Sequence, residues 1–179
     1  MEFTHLDAPA RILTDLEIFG SQLISQAVPY SVARAFLFNK DRKLAVMYQS
    51  KVDYYSFPGG RVEEGETPLQ AVYREVLEET GYLCQVEKSL GYVLENRGAS
   101  DRVVHSYFYI ASVQENTGSL HLTPKEISTG TGLFGWFTPE EAKQLILSSS
   151  AKSRQGKYLQ ARDLCAMELL EERKDLWIS

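Results

Sequence analysis

Glu75, Glu78 and Glu79 fall within little more than one turn of a helix whose two ends are both written into the sequence, and no other feature constrains the chain as much. Thr67 stands as N-cap, Pro68 takes the first helical position, Gln70 is placed to close a capping box, and Gly81 is a natural C-terminal stop. At about 100° per residue the three carboxylates share roughly a third of the helix circumference. Leu69, Val72, Tyr73 and Val76 form the adjoining apolar face, so the glutamates border the stripe that will be buried, and Ala71 leaves room beside them. Like charges three and four residues apart repel, and acids near a helix C-terminus oppose the macrodipole, each at a cost of roughly a few tenths of a kcal/mol. Local rules that fail together point to a site, and a hard divalent cation would relieve the repulsion through its oxygen ligands. By itself such a triplet is more often a solvated acidic face, so its surroundings decide the reading.

Composition narrows the partners. The chain has 179 residues, of which 44% are hydrophobic and 24% charged, which suits one globular domain spanning residues 1–179. A formal net charge of −5 argues against a nucleic-acid polymer, whose backbone recruits an excess of Lys and Arg. The two cysteines, Cys84 and Cys165, stand far apart and imply neither a disulfide framework nor a zinc site, which fits a reducing cytoplasm. Charged residues interrupt every apolar run, so neither a secretory signal nor a membrane span is expected.

Along the chain, Leu16, Phe19, Leu23, Ile24 and Ala27 recur at helical spacing, which predicts a helix over about 14–27 with Thr14 and Asp15 as cap candidates. Ser31–Phe38 and Lys43–Gln49 predict a hairpin around a polar turn, and Leu83–Leu94 with Val103–Val113 predict a second. A weak strand at Ser119–Leu122, a flexible loop over Ser128–Gly132, a buried strand at Leu133–Phe137 and a helix capped by Thr138 follow. A last helix over about 156–172 packs on the core or, as the second choice, on another copy of the chain. The core is expected over about 31–147, and the order of elements implies a mixed sheet with helices on both faces.

From Gly60 through Glu66 to Arg74-Glu75-Val76-Leu77-Glu78-Glu79-Thr80-Gly81-Tyr82, with Phe57-Pro58-Gly59 leading in, the sequence resembles the box of the Nudix (MutT-like) hydrolases. Tyr82 is the one departure, where the family usually has an aliphatic residue. The resemblance extends over about Val32 to Ile146 and implies an α/β/α sandwich with a mixed β-sheet and a loop-helix-loop that holds Mg²⁺ or Mn²⁺ against a diphosphate. It implies that Glu75, Glu78 and Glu79 bind the metal, with the Gly60 carbonyl as a further ligand. Arg74 would orient the glutamates by a salt bridge. Glu66 would brace the loop or reach the metal through water. Gly59 and Gly60 would let the backbone approach phosphate. The implied substrate is a small nucleoside diphosphate linked to another moiety, cleaved at its phosphoanhydride bond. Glu75 or Glu78 would serve as general base, or Glu126 from the loop beyond the box.

Other residues carry weaker signals. Arg97 and Arg102 flank a turn and could contact phosphate, although turn-flanking arginines are more often plain surface. Tyr54, Tyr55 and Phe57 could stack on a base, but packing is the better expectation. His105 is expected to be structural. The main competing function is a nucleotide-sensing module without catalysis, against which stands the full set of box carboxylates. The nucleoside diphosphate derivative itself is not specified by any segment.

Overall fold

The computed structural model describes residues 8–177, apart from the side chains of Lys125, Glu126 and Leu176. Its elements run β1 (Arg11–Thr14), α1 (Asp15–Phe19), β2 (Tyr30–Phe38), β3 (Leu44–Gln49), β4 (Tyr54–Ser56), β5 (Gly59–Arg61), α2 (Pro68–Thr80), β6 (Tyr82–Arg97), β7 (Arg102–Asn116), α3 (Pro124–Thr129), β8 (Thr131–Phe137), α4 (Pro139–Ser148) and α5 (Arg154–Glu172). The strands form one mixed sheet in the order β1-β6-β7-β2-β3-β4, with β5 paired to β2 and β8 to β3.

Alternation along β2 explains the layers. Ala33, Ala35 and Leu37 face one side and pack with Ala71, Val72 and Val76 of α2, while Phe36 and Phe38 face the other and meet Ala142 and Ile146 of α4 and Ala166, Met167, Leu169 and Leu170 of α5. The sheet is therefore the middle layer of an α/β/α sandwich, the Nudix-type arrangement. The last helix buries its apolar residues in this same chain. Among the described residues no helix is long and apolar enough to cross a membrane.

Several elements differ from the sequence expectation. The predicted helix over 14–27 is only α1, which Thr14 caps as expected. It ends because Gly20 turns left-handed, at φ 67°. The chain beyond it leaves the helical path to lie on the β6-β7 turn, where Ser25 accepts no helical bond but donates its N–H to Asn96 Oδ1 at 2.7 Å and its hydroxyl to Asp101 Oδ1 at 2.7 Å. Gly98 makes that approach possible, since a Cβ there would stand 2.1 Å from the Leu23 carbonyl. The first hairpin is nominal. β2 meets β3 in register only at Phe38 and Leu44, and lies parallel to β7 from Tyr30 to Phe38 instead. β1 was not foreseen; it adds to β6 in parallel. The second hairpin is longer than expected, with β6 and β7 in register from Tyr82 and Asn116 to Arg97 and Arg102.

Ser119–Leu122 forms no strand. The segment crosses the end of α2, with the Thr117 N–H on Gly81 O and the His121 N–H on Glu78 O, each at 2.9 Å, so its backbone closes helix carbonyls rather than a ladder. The loop expected over Ser128–Gly132 is taken up by α3 and the start of β8. β8 is half-buried rather than buried, and Phe134 is 48% exposed.

Candidate active site

Arg74 holds the site together from the middle of α2. Its Nε and Nη2 donate to the two carboxylate oxygens of Glu66 at 3.0 and 2.9 Å, Nη2 also reaches the Arg61 carbonyl at 3.0 Å, and Nη1 donates to Glu75 Oε1 at 2.8 Å and Glu78 Oε2 at 3.2 Å. The forked pairing with Glu66 holds that carboxyl below its ordinary range and raises the Arg74 guanidinium further still. Glu66 also accepts the Glu63 N–H at 3.0 Å, which folds the loop between β5 and α2 back on itself. The helix is positioned for this by its capping box, with the Thr67 hydroxyl accepting the Gln70 N–H and the Gln70 side chain accepting the Thr67 N–H.

Two glycines set the other wall. The Gly59 N–H donates to Glu79 Oε2 at 2.7 Å, and Gly59 has φ 138° with a notional Cβ only 2.2 Å from the Ala33 carbonyl, so no side chain fits there. A Cβ on Gly60 would stand 2.4 Å from Glu75 Oε1, so the glycine is what allows that carboxylate to lie against the backbone. Glu75 and Glu79 are each only 6% exposed, whereas Glu78 is more open. Burying two carboxylates is costly unless donors meet them, and Arg74 and the Gly59 amide supply such donors.

The structure thus draws Gly59, Gly60, Glu66, Arg74, Glu75, Glu78 and Glu79 into one cluster. As the side chains stand, no three acidic, imidazole or thiol groups among the described residues converge on one ion position, because Arg74 Nη1 lies between Glu75 and Glu78. The donor chemistry nevertheless suits a hard cation: three carboxylates from little more than one helical turn, beside a glycine that adds no side chain against Glu75. Glu126 falls in α3, and its side chain lies outside those described.

Arg97 and Arg102 share no hydrogen bond with this cluster among the described residues. Arg97 is buried, donates to Glu95 Oε2 from Nε and Nη2 at 3.0 and 2.5 Å, and lies over the Tyr158 ring. Arg102 is exposed at the start of β7, six residues before Phe108, the partner in register of Arg34, which is about 20 Å along a strand. Tyr54 and Phe57 are buried. His105 is half-buried, which lowers its proton affinity, and it lies against Tyr92. Beside the loop, an open cleft of about 690 Å³ is lined by Tyr30, Ser31, Arg61, Val62, Glu63 and Glu64, with the Arg61 guanidinium 4.8 Å from the Tyr30 ring centroid.

A buried polar network on the α5 face escaped the sequence reading. Asp163 accepts from Arg162 Nε at 2.8 Å and from the Tyr54 hydroxyl at 2.5 Å. Glu95 accepts from Arg97 and, at 2.6 Å, from Ser106, and Asp15 accepts from Tyr158 and from the Ala99 N–H. The one signal was Arg34, a cation inside the otherwise apolar run Val32–Phe38.

Comparison with known proteins bears on family and fold. The NUDIX domain family model matches residues 29–160. The mouse (Mus musculus) protein 8-oxo-dGDP phosphatase NUDT18 is 31% identical over 112 residues, covering 62% of this chain and 32% of that protein, so the chain spans about a third of its relative's length. In fold, a NUDIX hydrolase from Nitrosomonas europaea superposes with a TM-score of 0.55 at 20% identity, covering 78% of this chain and 90% of that one. The ORF135 protein of E. coli gives 0.54 at 22% identity, covering 82% and 91%. With its box residues gathered on α2 and the preceding loop, and a family match over most of its length, the chain belongs to the Nudix hydrolase family.

Proposed function

We propose that this chain is a divalent-metal-dependent pyrophosphohydrolase that cleaves the phosphoanhydride bond of a nucleoside diphosphate linked to another group. The observation that carries the reading is the Arg74 clasp, which gathers Glu66, Glu75 and Glu78 beside the two glycines while the Gly59 amide fixes Glu79. Structural bracing alone does not require three acids around one guanidinium, with a fourth held by a backbone amide, next to a glycine-lined wall. Glu75, Glu78 and Glu79, with the Gly60 carbonyl and with Glu66 through water, would hold Mg²⁺ or Mn²⁺. When bound, such an ion neutralises charge on the anhydride oxygens and makes water a better nucleophile.

The protein's own part is orientation and proton transfer. Arg74 keeps Glu66, Glu75 and Glu78 aimed, and Gly59 and Gly60 let the phosphates come close to the backbone. Glu75 or Glu78 takes the proton from the attacking water, with Glu126 as the alternative base. The mouse relative's name, a phosphatase of 8-oxo-dGDP, makes oxidised guanine nucleotides the first substrates to try.

The test is product analysis by chromatography after incubation with 8-oxo-dGDP, 8-oxo-dGTP, unmodified nucleoside triphosphates, nucleotide sugars, ADP-ribose and dinucleotides, each with Mg²⁺ or Mn²⁺. Metal-dependent release of a nucleoside monophosphate from one class is expected. Tight nucleotide binding with no turnover of any class would replace the hydrolase reading with a sensor.

A further inference from the structure

Arg34 occupies β2 on the same side as Phe36 and Phe38, the side covered by α5, with Phe108 beside it on β7 and Gly59 beside it on β5. Its Nη1 donates to the Phe57 carbonyl at 2.7 Å, but its Nε is buried and has no hydrogen-bond partner among the described residues. Buried donors are almost always satisfied, and an unspent N–H on a cation is a costly exception that calls for an explanation.

Among the described residues no acceptor meets that N–H. Arg34 interacts electrostatically with Arg162, Asp163, Tyr54 and Glu79, and burial, followed by the like charge of Arg162, lowers its proton affinity. Asp163 already receives Arg162 and the Tyr54 hydroxyl. Two arginines therefore lie close to each other, with Asp163 hydrogen-bonded to only one of them, an arrangement that an added anion would relieve.

Position ties this donor to the site. Gly59, in register with Arg34, is the glycine whose N–H holds Glu79, and a Cβ on it would stand 2.9 Å from Arg34 Cγ, so the arginine stem lies directly on that glycine. Arg34 remains only half-buried as a residue, so it is not sealed off from solvent. A guanidinium with an N–H to spare suits an anionic phosphate oxygen.

We propose that Arg34 is a substrate-binding residue, its unspent Nε–H taking an anionic phosphate oxygen on the sheet side of the Gly59–Glu79 contact. The proposal rests on the hydrolase reading for the identity of the anion. It assigns Arg34 to ground-state binding rather than to the carboxylate machinery.

The experiment compares wild type, Arg34→Met and Arg34→Lys in two measurements: steady-state kinetics on the substrate that wild type turns over, and calorimetric binding of inorganic pyrophosphate in the presence of Mg²⁺. In Arg34→Met, KM and the pyrophosphate Kd should both rise about tenfold or more while kcat changes less than about threefold, the pattern of lost binding. Arg34→Lys should recover part of the loss, because it keeps the charge but not the fork. The Mg²⁺ concentration giving half-maximal rate should stay put, whereas a merely structural disturbance of Glu79 would move it. A folded Arg34→Met with KM and Kd within about twofold of wild type overturns the proposal. If that variant does not fold, unchanged KM and Kd in Arg34→Lys overturn it equally. If wild type hydrolyses nothing but Arg34→Met still weakens pyrophosphate binding, the anion site stands and the hydrolase reading falls.

Discussion

Arg74 concentrates the electrostatics of the cluster in one side chain, and substitutions there and at its partners separate geometry from charge. Arg74→Lys keeps the positive charge but cannot hold both Glu66 oxygens together with Glu75 and Glu78. It should lower stability by about 1–3 kcal/mol in urea unfolding and reduce kcat more than it raises KM. Gly60→Ala should fold less stably and lose most activity, since its new methyl displaces the Glu75 carboxylate from 2.4 Å away. Glu66 carries a pH signature. Hydrogen bonds from Arg74 hold its folded pKa below the ordinary 4.5, so its contribution is fully present above that value and is lost as pH falls through the lower, folded one. The Tm difference between wild type and Glu66→Gln should accordingly shrink as pH is taken from about 6 to about 3. A difference that stays constant across that range would deny the linkage.

Among the elements, α2 was legible because every determinant of it is local. Thr67, Pro68, Gln70 and Gly81 fix its ends, and one periodic face buries Val72 and Val76. Thr67→Ala removes an N-cap that accepts the Gln70 N–H and should cost about 1 kcal/mol, measured by thermal unfolding. α1 was legible at its start and not at its end, because the apolar spacing past Gly20 serves contacts with the β6-β7 turn, which no local pattern reveals. The Ser119–Leu122 segment misled for the same reason: its His121 N–H answers the Glu78 carbonyl at the end of α2, not a neighbouring strand. In α5 the apolar stripe was readable, but Arg162 and Asp163 gave no hint that they turn inward, since their partner Tyr54 is more than a hundred positions away. Asp163→Asn leaves the Arg162 charge buried against Tyr54 and should destabilise the fold by about 3–5 kcal/mol.

For the whole molecule, mixed-sheet character and helices on both faces followed from alternation and element order, whereas the strand order did not. β2 does lie beside β3 as expected but meets it in register only at Phe38 and Leu44, while most of its length runs along β7, a long-range parallel pairing that sequence spacing cannot signal. The box residues were legible as a set, and the folded chain supplies their contacts; the buried network beneath α5, including Arg34, belongs to tertiary packing and was not. The chain's function depends above all on whether the acidic turn of α2 does chemistry. The direct measurement is turnover of the nucleotide panel by wild type and by Glu78→Gln with Mg²⁺ or Mn²⁺, with circular dichroism to show that both are folded. Glu78 is the more open of the three glutamates and the amide keeps its shape, so the variant should fold normally. The account predicts metal-dependent hydrolysis of one substrate class by wild type and a loss of about a hundredfold or more in kcat in the variant. Equal rates for the two folded proteins would contradict it.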